Sequence, residues 1–94
     1  MAYTILIADD EAEIRQLLRL YLEKDGYEVM EAENGVEAME ILRQREIHLI
    51  LLDIMMPQLD GYQVLRKLRQ ESNIPVIFLS AKGADEDKIL GLDL

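Results

Sequence analysis

Ninety-four residues, half of them apolar and 31% charged, strike the balance of a single globular domain and exclude a disordered chain. A formal net charge of −9 excludes a nucleic-acid surface within this segment, because a polyanion has to be met by clustered lysine and arginine. No cysteine is present, so there are no disulfides or thiolate zinc sites, a composition compatible with a cytoplasmic location. No apolar run approaches the roughly 18 residues of a membrane span or forms the core of a signal peptide.

In chain order, Thr4 to Ala8 (TILIA) is aliphatic on both faces and reads as a buried strand, closed by Asp9 and Asp10. From Glu11 to Asp25 the apolar residues Ile14, Leu17, Leu18, Tyr21 and Leu22 recur at the spacing of one helix face, and Gly26 ends the helix. Tyr27 to Ala32 (YEVMEA) has the mixed pattern of an edge strand. Asn34 and Glu37 then form a cap pair for a helix over 35–45, whose inner side is Ala38, Met39, Ile41 and Leu42.

Leu49 to Leu52 is again apolar on both faces and ends on Asp53, ahead of Pro57 and Asp60-Gly61. Asp60 and Gln63 make a second cap pair, and Val64, Leu65 and Leu68 line a helix running to about Glu71. After the turn at Ser72 to Pro75, Val76 to Leu79 (VIFL) reads as a fourth buried strand ending at Ser80. Ala84 to Leu92 begins a further helix with Ile89 and Leu90 inward, weakened by Gly91. Strand and helix alternate without a linker or repeat, which specifies one α/β unit with a doubly wound parallel sheet and helices on both faces.

Asp9, Asp10 and Asp53 stand at the carboxyl ends of the first and third strands, where open parallel sheets bind ligands if the strand order reverses between them. Asp10 can instead be a helix cap, since Asp10 and Glu13 imitate a capping box. Clustering, however, makes carboxylates about 5 Å apart repel by about 3 kcal/mol per pair at an effective dielectric of about 20. Protons or a cation must relieve that repulsion. An all-oxygen donor set without cysteine or a nearby histidine suits a hard divalent ion, Mg²⁺ foremost. A carboxylate beside Mg²⁺ can also act as a nucleophile toward phosphorus, and Asp53, followed by a loop with free N–H groups, is better placed for it than Asp10. His48 sits at the opposite end of its strand and reads as packing. Met55 and Met56 read as loop packing, although the Met55 carbonyl is near enough to Asp53 to reach the same ion.

The three stretches ILIADDEAEIRQLL, LILLDIMMPQLDGYQVLRKLR and IPVIFLSAKG with DKILGLDL together resemble the receiver domain of two-component response regulators. They are most similar to the branch that carries a winged-helix DNA-binding domain. The resemblance covers residues 1–94 as one receiver domain and implies a flavodoxin-like strand order 2-1-3-4. The family's fifth strand, with its lysine and switch aromatic, and its fifth helix would lie beyond Leu94; Lys82 follows Ser80 too closely to be that lysine. The resemblance further implies Mg²⁺ held by Asp10, Asp53 and the Met55 backbone carbonyl, with Asp9 acting through water. Asp53 would be the phosphoacceptor from a sensor histidine kinase, and Ser80 would contact the phosphoryl group during switching. The function so implied is phosphoryl acceptance that controls transcription through an output domain outside this segment, with at most slow self-catalysed turnover. A phosphorylation-independent interaction fragment and a Mg²⁺-dependent aspartyl-phosphate hydrolase are the alternatives. A chain ending at Leu94 is also expected to expose the edge of the fourth strand and to associate through the region of strand four and helix four.

Overall fold

The computed structural model describes residues 2–81 and 88–93, with side chains described as far as residue 79. In order come β1 (Thr4–Ala8), α1 (Ala12–Lys24), β2 (Glu28–Ala32), α2 (Gly35–Gln44), β3 (Leu49–Asp53), α3 (Gly61–Arg69), β4 (Val76–Ala81) and β5 (Lys88–Asp93). They build one sheet of order β2-β1-β3-β4-β5. The first four strands are parallel in the expected order 2-1-3-4, and β5 runs antiparallel to β4.

Alternation along each strand explains why the central runs are apolar throughout. In β1, Ile5 and Ile7 enter one core cluster with Val29, Leu51 and Leu79, against which Leu18 and Leu22 of α1 pack. Leu6 and Ala8 enter the other, with Ile50, Leu52 and Val76, covered by Ala38 and Met39 of α2 and Val64 and Leu68 of α3. A strand sandwiched in this way has no polar face to present. β2, at the sheet margin, leaves Glu28 exposed and Glu31 half-buried, as its mixed pattern requires.

The helix termini follow the local chemistry. Asn34 accepts from the Glu37 N–H at 2.8 Å, and Asp60 with Gln63 forms a reciprocal capping box. Glu37 itself reaches back one residue further than a capping box would, to the Glu33 N–H at 2.7 Å. Gly26 follows α1 at φ +93, the left-handed position a glycine fills without strain.

Two elements depart from the expectation. The apolar stripe of α1 is only partly used: Leu18 and Leu22 pack on the sheet, whereas Leu17 and Tyr21 remain 51% and 62% exposed. α1 is the only helix on that face among the described residues, so nothing beside it covers the far edge of the stripe. The helix expected over Ala84 to Leu92 is replaced, from Lys88 onward, by β5; its first residues, 84–87, lie outside the described residues. Val76 pairs with Asp93 and Ala81 with Lys88 along its full length. The physical reason is the open edge itself. Unpaired N–H and C=O groups of β4 gain hydrogen bonds from a neighbouring strand, while Gly91 lowers the helical alternative by about 1 kcal/mol. The edge expected at β4 is therefore filled, and the sheet margin on this side is β5.

Candidate functional site

The site forms where the order of the sheet turns back on itself. β1 is connected through α1 to β2 on one side and pairs with β3 on the other. Ala8 is in register with Leu52, so the next residue of each strand, Asp9 and Asp53, emerges at the same level. Asp9 is 0% and Asp53 1% exposed, whereas Asp10 lies at the surface. One carboxylate oxygen from each of Asp9, Asp10 and Asp53 lies within 4.8 Å of the others. For the buried pair alone that proximity costs about 3 kcal/mol at an effective dielectric of about 20. Three carboxylate oxygens, two inside and one at the mouth, make a donor set suited to a hard divalent cation that keeps part of its water shell. The residues present fit Mg²⁺.

The backbone holds this cluster from both strands. The Asp9 N–H donates to the Ala32 carbonyl at 3.0 Å, tying the turn to the end of β2. Asp9 Oδ1 accepts from the Glu11 N–H at 2.8 Å. Glu11 occupies the N-cap position of α1 without a side-chain cap bond, so the capping alternative for Asp10 is not realised. Asp9 instead takes the amide of the N-cap residue Glu11, and the Asp10 carboxylate stands with the cluster.

On the other strand, Asp53 Oδ1 accepts from the Met55 N–H at a long 3.3 Å, and the Ile54 N–H reaches the Leu79 carbonyl of β4 at 3.3 Å. The Gly61 N–H bonds the Ile54 carbonyl at 3.0 Å, which seats the start of α3 directly against the end of β3. A Cβ at Gly61 would come within 2.6 Å of the Asp53 carbonyl oxygen and 2.8 Å of Ile54 Cα. Only glycine permits that approach. The intervening loop also holds Gln58 at φ +70, a left-handed conformation for a residue with a side chain.

Met55 projects its side chain into solvent, 68% exposed. It borders, with Asp10, Pro57 and Tyr62, an open depression of about 490 Å³ beside the acidic cluster. Ser80 follows Leu79, the register partner of Asp53, and so stands at the same end of the sheet; its side chain and Lys82 lie outside the described residues. His48 is at the far end, its Nδ1 accepting from the Thr4 N–H at 2.9 Å with Tyr3 edge-on to its ring, which is packing.

Arg15 is a site residue that motif and periodicity did not single out. Its guanidinium lies between the Asp9 carbonyl and Glu31, at 2.7 and 3.0 Å. Arg19 takes the other Glu31 oxygen at 2.6 Å. Burial works to raise Glu31, but the hydrogen bonds from Arg19 and Arg15 outweigh it and hold this carboxyl below its ordinary value. A readable signal existed: an arginine one turn into α1 and a glutamate next to the end of β2, a strand laid alongside β1.

Residues 5–94 match the family described as the response regulator receiver domain. The chain is 53% identical over 94 residues to the response regulator GtcR of Aneurinibacillus migulanus, covering 100% of this chain and 39% of that protein. It is 45% identical over 93 residues to the transcriptional regulatory protein SrrA of Staphylococcus aureus, covering 99% of this chain and 39% of that protein. Thus the chain spans about two-fifths of the length of these relatives. Among solved structures it superposes on the response regulator TrrA of Thermotoga maritima, in complex with Mg(2+)-BeF, with a TM-score of 0.81 and 38% identity. That alignment covers 86% of this chain and 71% of the other.

Proposed function

The chain belongs to the response-regulator receiver family, and we propose that Asp53 is the residue on which it accepts a phosphoryl group from the histidine of a sensor kinase. The observation that carries this reading is the convergence of Asp9, Asp10 and Asp53 within 4.8 Å at the carboxyl ends of β1 and β3. Asp10, Asp53 and the Met55 carbonyl would hold Mg²⁺, with Asp9 acting through water. When bound there, the ion supplies positive charge for the oxygens of the transferring group.

The chain's own residues do the rest. A carboxylate oxygen of Asp53 attacks phosphorus while the bond from phosphorus to the kinase histidine nitrogen breaks. The departing imidazole keeps the electron pair and takes a proton from water, leaving a mixed anhydride on Asp53. The Met55 N–H on Oδ1 restrains the carboxylate. Backbone N–H groups of the following loop are the donors available to the phosphoryl oxygens, and Ser80, at the end of β4, is the hydroxyl that would join them. Asp10, at the mouth of the cluster, leaves that approach open to a partner protein.

In this reading the domain is an acceptor rather than a turnover enzyme, with slow self-catalysed loss of the group. It acts in the cytoplasm and governs transcription through an output domain outside residues 1–94. With a net charge of −9, the segment itself does not bind DNA. Among the described residues no helix is long and apolar enough to cross a membrane.

The test is incubation with a small phosphoramidate donor and Mg²⁺, followed by peptide mapping. One phosphoryl group on the peptide containing Asp53, released by hydroxylamine and missing from Asp53→Asn, is expected. Stable phosphate on Ser72 or Ser80 in its place would remove the reading.

A further inference from the structure

Arg15 makes two bonds that together reach into the acidic site without touching any of its carboxylates. One guanidinium nitrogen, Nη1, donates to the Asp9 carbonyl at 2.7 Å, and Nε donates to Glu31 Oε1 at 3.0 Å. The Arg15 side chain is 14% exposed and that of Glu31 22%, so this is a largely enclosed bridge from α1 to β2. Arg19 Nη1 fixes the second Glu31 oxygen at 2.6 Å.

The carbonyl that Arg15 grips belongs to the peptide unit joining Asp9 to Asp10. That unit is planar, so holding its oxygen sets the direction in which Asp10 leaves it. The N–H of Asp9 is tied separately to the Ala32 carbonyl at 3.0 Å. Asp9 is thereby clamped at both ends to the terminus of β2, directly through Ala32 and indirectly through Arg15 and Glu31. Asp10, by contrast, is at the surface, follows the last residue of β1 by two, and precedes the N-cap of α1. Its position depends on the peptide before it.

The geometry points to Arg15 as a positioning residue for the divalent cation: it orients the Asp9–Asp10 peptide so that the Asp10 carboxylate stands ready beside Asp9 and Asp53. Glu31 completes the device by compensating the guanidinium charge next to a site meant for a cation. This inference rests on the reading of the acidic cluster as a Mg²⁺ site.

The sign of the effect separates positioning from the two plainer roles of an arginine. As a point charge, Arg15 repels the ion, and its removal would tighten binding. As an ordinary interelement ion pair, it would contribute to stability and leave affinity unchanged. A positioning role weakens binding on removal, and partners that orient metal ligands typically account for about 10–100-fold in affinity.

The experiment is calorimetric titration with Mg²⁺ of the unmutated chain, Arg15→Ala, Arg15→Lys and Asp10→Asn, alongside urea unfolding of each in chelator. We expect the Mg²⁺ dissociation constant to rise about tenfold or more in folded Arg15→Ala. Arg15→Lys should fall between, since one ammonium cannot reproduce the planar two-acceptor fork. Unchanged or tighter binding in folded Arg15→Ala overturns the inference while leaving the cation site intact. If Arg15→Ala does not fold, Arg15→Lys decides by the same criterion. An unmutated chain that is folded yet indistinguishable from Asp10→Asn overturns the cation reading, and this inference with it.

Discussion

Asp9 and Asp53 are buried carboxylates held close by the register of two neighbouring strands, so the metal-free chain carries a repulsion built into its backbone. Neutralising one of them should relieve it. Asp53→Asn is expected to stabilise the metal-free chain by about 1–3 kcal/mol while abolishing the response to Mg²⁺; urea midpoints in chelator check the first part. The Glu31 bridge behaves oppositely. Its carboxyl is held below its ordinary 4.5 by Arg19 and Arg15 despite the opposing pull of burial. A depressed pKa contributes stability that is present above the unfolded value and lost as pH falls through the folded one. Glu31→Gln should therefore be less stable than the unmutated chain by about 1 kcal/mol near neutrality, with the gap closing as pH drops below about 4.5. A gap that stays constant to low pH would show that the charge on Glu31 contributes nothing.

At the scale of elements, α3 is the part whose placement the site most depends on. Gly61 lets its first turn lie against the Asp53 carbonyl, where a methyl would meet backbone atoms that cannot swing aside. Gly61→Ala is expected to cost about 1–3 kcal/mol and to weaken Mg²⁺ binding, because α3 or the end of β3 must shift; denaturant melts with and without Mg²⁺ measure both. Much of this layer was legible in the sequence. Aliphatic runs at Thr4 to Ala8 and Leu49 to Leu52 announced strands buried on both faces, and Asp60-Gly61-x-Gln63 announced the cap of α3. The aspartates of the crevice, Asp9 and Asp10 after one run and Asp53 after the other, followed from where those runs stopped. Arg15 escaped because its partners are a backbone carbonyl and a residue of another strand, relations that periodicity along one helix does not encode. Leu17 and Tyr21 were misjudged for a related reason. A stripe of apolar residues reports which face can be buried, whereas the neighbouring elements decide how much of it is. Lys88–Asp93 shows the same limit, because a segment rich in aliphatic residues becomes a strand when an open edge lies beside it.

For the whole molecule, a net charge of −9 in 94 residues leaves the folded chain under self-repulsion that a divalent cation at the acidic cluster would partly discharge. The crevice at the reversal of strand order gathers three of the acidic side chains into one place. Because a ligand that binds only the folded form adds stability by mass action, about 2.7 kcal/mol at a hundredfold excess over its dissociation constant, the cluster's role can be read from global unfolding. The most direct measurement is the urea midpoint of the unmutated chain across a wide range of Mg²⁺ concentration at fixed ionic strength, with Asp10→Asn and Asp53→Asn in parallel. The account predicts a midpoint that climbs with the logarithm of Mg²⁺ concentration in the unmutated chain and is nearly flat in both variants. A flat response in a folded unmutated chain, or an equal climb in all of them, would contradict it.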